Sequence, residues 1–281
     1  MKERQTRVIS AQSQLACGYV GNNIAQLILQ LQGVEVMAVP TVIYSNHTGH
    51  EKVYGEKVPR PLFDDLLKGV EELGCFGDVG YLISGYIGSD EIVDSVAALA
   101  GRLKGANPRC RYVFDPVMGD RGCGLFVDPA LAAHMLTTLL PLCDVLTPNH
   151  FELEHILGER VDDIGTLESR VAGHPLLRDK TVIVKSCILD DLPDDSLLET
   201  IILEGGRTTR VPSRRVDIIT VGTGDLFCGA LVGRLVKGDS VANGVSRVAD
   251  YISSLLERVR AGGSREIDLA AVLASLGKLN D

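Results

Sequence analysis

The feature that most constrains this chain is a repeated change of hydrophobic period. Short apolar runs alternate with stretches whose apolar residues recur every three or four positions. Runs at 7–12, 34–44, 79–83, 112–114, 145–147 and 181–185 read as strands. Between the first two, Ile24, Leu27, Ile28 and Leu31 fall at i, i+3, i+4 and i+7, one face of a helix that Gly33 ends. Leu62, Leu66, Leu67, Val70 and Leu73 repeat that spacing. Ser89 is placed to cap a helix whose first turn carries Asp90 and Glu91, where carboxylates favour the helix dipole. Further helices are expected around 129–140 and from Asn149, hairpin strands at 198–203 and 208–212, and mainly helix from Thr223 onward. Such alternation predicts an α/β architecture, a largely parallel sheet with helices on both faces. No linker, repeat or low-complexity segment divides the chain, so 1–281 reads as one domain. The polar, Gly-containing stretch 45–59 reads as a loop or small flap. In such sheets ligands gather beyond the carboxyl ends of the strands.

Composition narrows the function. A hydrophobic fraction of 45% with 23% charged residues suits a sizeable buried core. The net charge is −9 with no block of Lys and Arg, which argues against nucleic acid as a partner, so any phosphate site must be built locally. The charged opening 1–5 leads into Val8-Ile9 without a signal-peptide core, and no apolar stretch reaches the length of a membrane span. The expectation is a cytoplasmic protein with no membrane partner. Seven scattered cysteines without a C-x-x-C pair read as reduced thiols, mostly in the core, with Cys17 and Cys123 also taken as packing residues.

Four motifs carry the chemistry, three of them at expected strand ends and one at a helix start. Gly222-Thr223-Gly224-Asp225 precedes an apolar helix; two glycines there let successive N–H groups face an anion, and Asp225 could take a proton from a hydroxyl beside it. A plain helix entry with Asp225 as a dipole-favouring acid fits the same residues. Asp115 and Asp120, in Asp115-Pro116-Val117-Met118-Gly119-Asp120, suit water-mediated Mg²⁺ binding, or form turns, the turn fitting Asp120 better. Asn149 and Glu152 share a helix face at its start, as a metal-water or phosphate contact or as a capping box. Lys185 ends a strand, solvated or meeting a phosphate. His47 and His50, in the polar flap, read as solvated or packed; His134, His150, His155 and His174 have no metal-ligand spacing; no histidine is assigned a role, and no G-x-x-x-x-G-K-[ST] run is present.

Taken together these motifs resemble the ribokinase superfamily, and within it the pyridoxal kinases. The resemblance runs unbroken from about 7 to 260 through Ala11-Gln12-Ser13, Gly18-Tyr19-Val20-Gly21-Asn22, Ser45-Asn46-His47-Thr48-Gly49, Ser84-Gly85-Tyr86, the Asp115 run, and Arg215-Val216-Asp217 leading to Gly222-Thr223-Gly224-Asp225. Gln14 stands where many relatives have His, and His50 follows Thr48-Gly49 where an aromatic residue is common. The resemblance implies a ribokinase-like three-layer sandwich and an ATP-dependent kinase acting on the 5′-hydroxymethyl group of pyridoxal. It implies Asp225 as catalytic base, with Ser13, Thr48, Gly49 and Tyr86 at the substrate. Asp115, Thr147, Asn149, Glu152, Lys185, Ser186, Gly222, Thr223 and Gly224 would hold ATP, and Asp115, Asp120 and Glu152 would attend Mg²⁺. A monovalent cation such as K⁺ and a homodimer are implied as well. A kinase for hydroxymethylpyrimidine or a sugar, or a vitamer-binding protein without catalysis, remains the alternative.

Overall fold

The computed structural model describes residues 6–192, 194 and 196–280; the charged opening 1–5 lies outside them. Among the described residues a nine-stranded sheet forms the middle layer. Its strands are β1 (Arg7–Leu15), β2 (Glu35–Tyr44), β3 (Gly55–Lys57), β4 (Val79–Ser84), β5 (Arg111–Phe114), β8 (Val145–Leu146), β9 (Thr181–Cys187), β10 (Leu197–Glu204) and β11 (Arg207–Arg214). A separate small hairpin joins β6 (Gly119–Asp120) to β7 (Gly124–Leu125). The order across the sheet is β11-β10-β9-β8-β5-β4-β1-β2-β3. The six strands from β2 to β9 pair in parallel, while β3 at one edge and β10 and β11 at the other are antiparallel.

The core explains why the central strands are apolar on successive residues. Ile9, Leu82, Tyr112, Phe114, Leu146, Val182 and Val184 enter one buried cluster, and Val8, Ile83, Val113, Val145 and Ile183 enter the other. Alternate side chains of each strand thus leave on opposite faces, and helices cover both, as parallel sheets require. Helices α2 (Arg60–Glu72), α3 (Asp90–Ala106) and α4 (Pro129–Thr138) cover the first face; α1 (Asn22–Leu31), α7 (Thr223–Val236) and α8 (Val241–Ala261) cover the second. Helices α5 (His150–Leu157), α6 (Ile164–Gly173), α9 (Leu269–Ser275) and α10 (Gly277–Asn280) complete the described chain.

The expected strands and helices are present, with four differences. Part of the 45–59 stretch is strand: β3 pairs antiparallel with β2, Val42 opposite Lys57, and three residues are too few to show a period. The β6–β7 hairpin and α6 also went unread. Ser89 occupies the N-cap position of α3 but makes no side-chain cap hydrogen bond. Cys110, Cys143, Cys187 and Cys228 are buried as expected, whereas Cys17 and Cys123 are exposed, because each lies in a turn rather than in a sheet or helix face.

Chain order places the site. After β1 the chain runs outward to β2 and then returns to the other side of β1 for β4, so a crevice opens where the connections part. The segments following β1, β4, β5 and β8 all emerge at that carboxyl edge.

Candidate active site

Asp115 follows β5 and is buried with both oxygens against the Lys185 ammonium, at 2.7 and 2.8 Å. Lys185 reaches inward because β9 carries an extra residue there: Glu199 pairs with Cys187 but Ile201 with Val184. Such a bulge re-aims a side chain. Ser186, beside it, has φ +48° and is exposed. The solvated reading of Lys185 is therefore corrected to a buried ion pair. Burial alone would lower the Lys185 pKa, but Asp115 and the other acidic neighbours outweigh it and hold the ammonium above its ordinary range.

The pair lies directly against the start of α7. Gly222 caps that helix at φ +86°, and a Cβ there would collide with the Tyr19 carbonyl oxygen. A Cβ on Gly224 would sit 3.3 Å from Lys185 Nζ and 3.7 Å from Asp115 Oδ2. The first N–H groups of a helix have no partner within it, so those of this turn can serve an anion held beside Lys185. Asp225, in the same turn, is buried and accepts the Gly21 N–H at Oδ2 (2.8 Å). Gly21 in turn packs on β1: its φ is +56°, and a Cβ would strike Ser13. Burial pushes the Asp225 carboxyl up to about 6, with Asp115 adding to the shift while the Gly21 N–H and Lys185 oppose it.

Glu152 closes the cluster from the other side. The capping box is present: Asn149 Oδ1 accepts the Glu152 N–H at 2.9 Å, and Glu152 Oε2 accepts the Asn149 N–H at 2.8 Å. Its second oxygen, Oε1, accepts the Met118 N–H at 2.8 Å. Val117 holds a left-handed φ of +43°, an uncommon conformation for a β-branched residue, in the turn that presents that N–H. Burial raises the Glu152 carboxyl to about 7, and the charge on Asp115 adds to the shift. The cap therefore aims the carboxylate at the cluster instead of competing with that role. Asn149 Nδ2 also donates to the Gly119 carbonyl (2.8 Å), tying the β6–β7 hairpin to α5.

Other positions divide clearly. Thr147 is buried, with Oγ1 3.2 Å from Cys228 Sγ. Ser13 is buried at the end of β1, and Tyr86 is half-buried after β4, its carbonyl accepting from Thr41 Oγ1 at 2.6 Å. Thr48 and Gly49 are exposed in the 45–59 stretch. Asp120 is exposed on the hairpin, unlike the buried Asp115 and Glu152, and accepts the Arg121 N–H at 2.6 Å.

Two contributors went unrecognised in the sequence. Gly21 was visible only as a turn glycine, although it steadies Asp225. Cys228 was read as a core thiol, yet its Sγ donates to Asp115 Oδ2 at 3.1 Å. Its place three residues after Asp225, one face of the same helix, was the available signal.

The arrangement sets a helix turn whose first N–H groups have no partner among the described residues, one lysine and three buried carboxylates at the carboxyl edge of the sheet, which is chemistry for moving a charged group onto a hydroxyl. Comparisons with known proteins agree. A family model described as phosphomethylpyrimidine kinase matches residues 30–267. The chain is 34% identical over 272 residues to a pyridoxal kinase of Rubrobacter xylanophilus, covering 96% of this chain and 93% of the relative. A pyridoxine/pyridoxal/pyridoxamine kinase of Bordetella bronchiseptica is 34% identical over 269 residues, 95% and 94% of the two chains. Among solved structures, the pyridoxal kinase of Leishmania donovani in complex with ADP and pyridoxamine matches with a TM-score of 0.83 at 28% identity, covering 98% of this chain and 96% of that one. The pyridoxal kinase of Entamoeba histolytica matches with a TM-score of 0.87 at 21% identity and bears on the fold alone.

Proposed function

The chain belongs to the phosphomethylpyrimidine kinase family, among relatives that are pyridoxal kinases, and from that premise we propose that it transfers the γ-phosphoryl group of ATP to the 5′-hydroxymethyl group of pyridoxal. Pyridoxine and pyridoxamine are further acceptors in this reading. The observation that carries it is the buried Asp225 in the first turn of α7, set against the Lys185–Asp115 pair.

In phosphoryl transfer a protein mainly positions reactants and neutralises charge. The N–H groups of Thr223 and Gly224, with Lys185 beside them, meet the charge that develops on the transferred group. Asp225 accepts the alcohol proton: Gly21 holds Oδ2, and Oδ1 accepts no hydrogen bond among the described residues. Thr147, Asn149 and Ser186, at the ends of β8 and β9, flank the nucleotide. Ser13 and Tyr86 line the ring side, and Thr48 and Gly49 contribute from the flap.

The donor set fits Mg²⁺ held through water. Asp115 and Glu152 are buried carboxylates that each give both oxygens to protein donors, and magnesium keeps several waters when it binds. When bound with nucleotide it supplies further neutralisation of the phosphates. A homodimer, a monovalent cation and a cytoplasmic setting belong to the same proposal.

ATP consumption measured across pyridoxal, pyridoxine, pyridoxamine, hydroxymethylpyrimidine and ribose tests the reading. The expected result is highest kcat/KM for a B6 vitamer. The description of the matching family favours one rival, a hydroxymethylpyrimidine kinase, and a preference for that acceptor would replace the vitamer assignment while keeping the phosphoryl chemistry.

A further inference from the structure

The 45–59 stretch touches the far end of the chain through three side chains that the kinase chemistry does not use. His47 Nε2 lies 2.9 Å from Glu266 Oε1, and His50 Nε2 lies 3.6 Å from the same oxygen. One ligand atom from each residue falls within 4.8 Å of the others, and the two imidazole rings stand 4.2 Å apart. Glu266 is held in place by Ser264, whose Oγ accepts the Glu266 N–H and donates to its carbonyl, both at 3.0 Å.

We propose that His47, His50 and Glu266 form a divalent-cation site of the zinc type that ties the flap to the segment before α9. Two imidazoles and one carboxylate, with water in the fourth position, are a donor set suited to zinc and its neighbours in the first transition row and poor for magnesium. The half-buried His47 and the exposed His50 and Glu266 leave room for that water.

Coordination would also change the flap. The Gly49 N–H donates to His47 Nδ1 at 3.1 Å, so the neutral ring carries its proton on Nε2, toward Glu266. A metal on Nε2 displaces that proton to solvent, and the ring takes one up at Nδ1 to remain neutral. Two N–H groups then face each other, and the turn at 48–50 must shift. Thr48 and Gly49 are on that turn. The consequence for substrate binding rests on the kinase reading; the metal site does not.

Titration of the full-length protein with Co²⁺, followed by visible absorption and calorimetry, tests the site directly. One ion per chain with a tetrahedral spectrum is expected, displaced by Zn²⁺. H50A and E266Q should each weaken binding by more than the roughly 10–100-fold that loss of an outer-sphere partner costs, with unchanged circular dichroism and Tm. Binding that survives H50A and E266Q, or a cobalt–thiolate charge-transfer band from the exposed Cys17 or Cys123, overturns the site. At saturating Mg·ATP, Zn²⁺ should shift the KM for pyridoxal in the wild type and not in H50A; a wild-type KM that zinc leaves unchanged overturns the link to the flap. Absence of turnover in every variant would count against the kinase reading and leave the cobalt result standing.

Discussion

Asp225 gives one carboxylate oxygen to the Gly21 N–H and keeps the other unbonded among the described residues, which is what a proton acceptor needs. Replacing it with Asn retains the volume and an oxygen for Gly21 but removes the basic site. Asp225→Asn should therefore lower kcat by about 10²–10⁴, the usual contribution of a general base, while the Kd for ADP changes little. A variant with near-normal kcat would remove Asp225 from the chemistry. The same residue sets a pH dependence. Its burial places the carboxyl near 6, and only the ionised form accepts a proton, so kcat/KM should fall as pH drops through about 6. Glu152, at about 7, shares Asp115 and Lys185 as neighbours, so the acid limb belongs to the cluster and not to one residue. A profile flat down to pH 5 would contradict that assignment.

At the scale of elements, two helix starts do different work. The α5 start uses its acidic residue twice, because Glu152 accepts backbone N–H groups at both oxygens. An amide at this position offers one acceptor and turns its NH₂ toward the other donor. Glu152→Gln should thus be destabilising by roughly 1–3 kcal/mol, the penalty for a buried donor left unpaired, reduced by relief of the buried charge. Urea denaturation measures it, and an unchanged midpoint would show that the cap relaxes. The α7 start instead leaves its first N–H groups without a partner among the described residues. Gly222→Ala places a side chain at φ +86° and against the Tyr19 carbonyl, so it should cost roughly 1–3 kcal/mol and deform the anion site.

For the whole molecule, nucleotide and fold are thermodynamically linked, since a ligand that binds only the folded state stabilises it. ADP at a hundred times its Kd should add about 2.7 kcal/mol, read as a rise in Tm. Wild type and Asp225→Asn should show equal shifts, and Gly222→Ala should lose most of its shift. Equal shifts in all three would move the nucleotide away from α7. The parallel core makes this coupling possible. Asp115, Thr147 and Lys185 come from three neighbouring strands or the turns after them, and α7 returns from late in the chain to lie over those ends.

Hydrophobic period by itself determined the α/β class, the layered arrangement and nearly every central strand, because strand and helix faces repeat at different intervals wherever one side must be buried. Local chemistry was equally legible in the Asn149–Glu152 capping box and the glycine turn at 222–224, since both act over a few residues. Neither period nor composition could aim Lys185 inward. That depends on a bulge in β9 set by its register against β10, a pairing that neither strand's own period reveals. The same holds for Gly21 beneath Asp225, a contact across 204 positions, and for Cys228 on Asp115, across 113. His47 and Glu266 lie 219 residues apart and carry no shared spacing. Only the tertiary packing, with α1 and α7 set on one face of the open sheet, decides which of these polar groups meet, and burial among them then raises the Asp225 and Glu152 carboxyls.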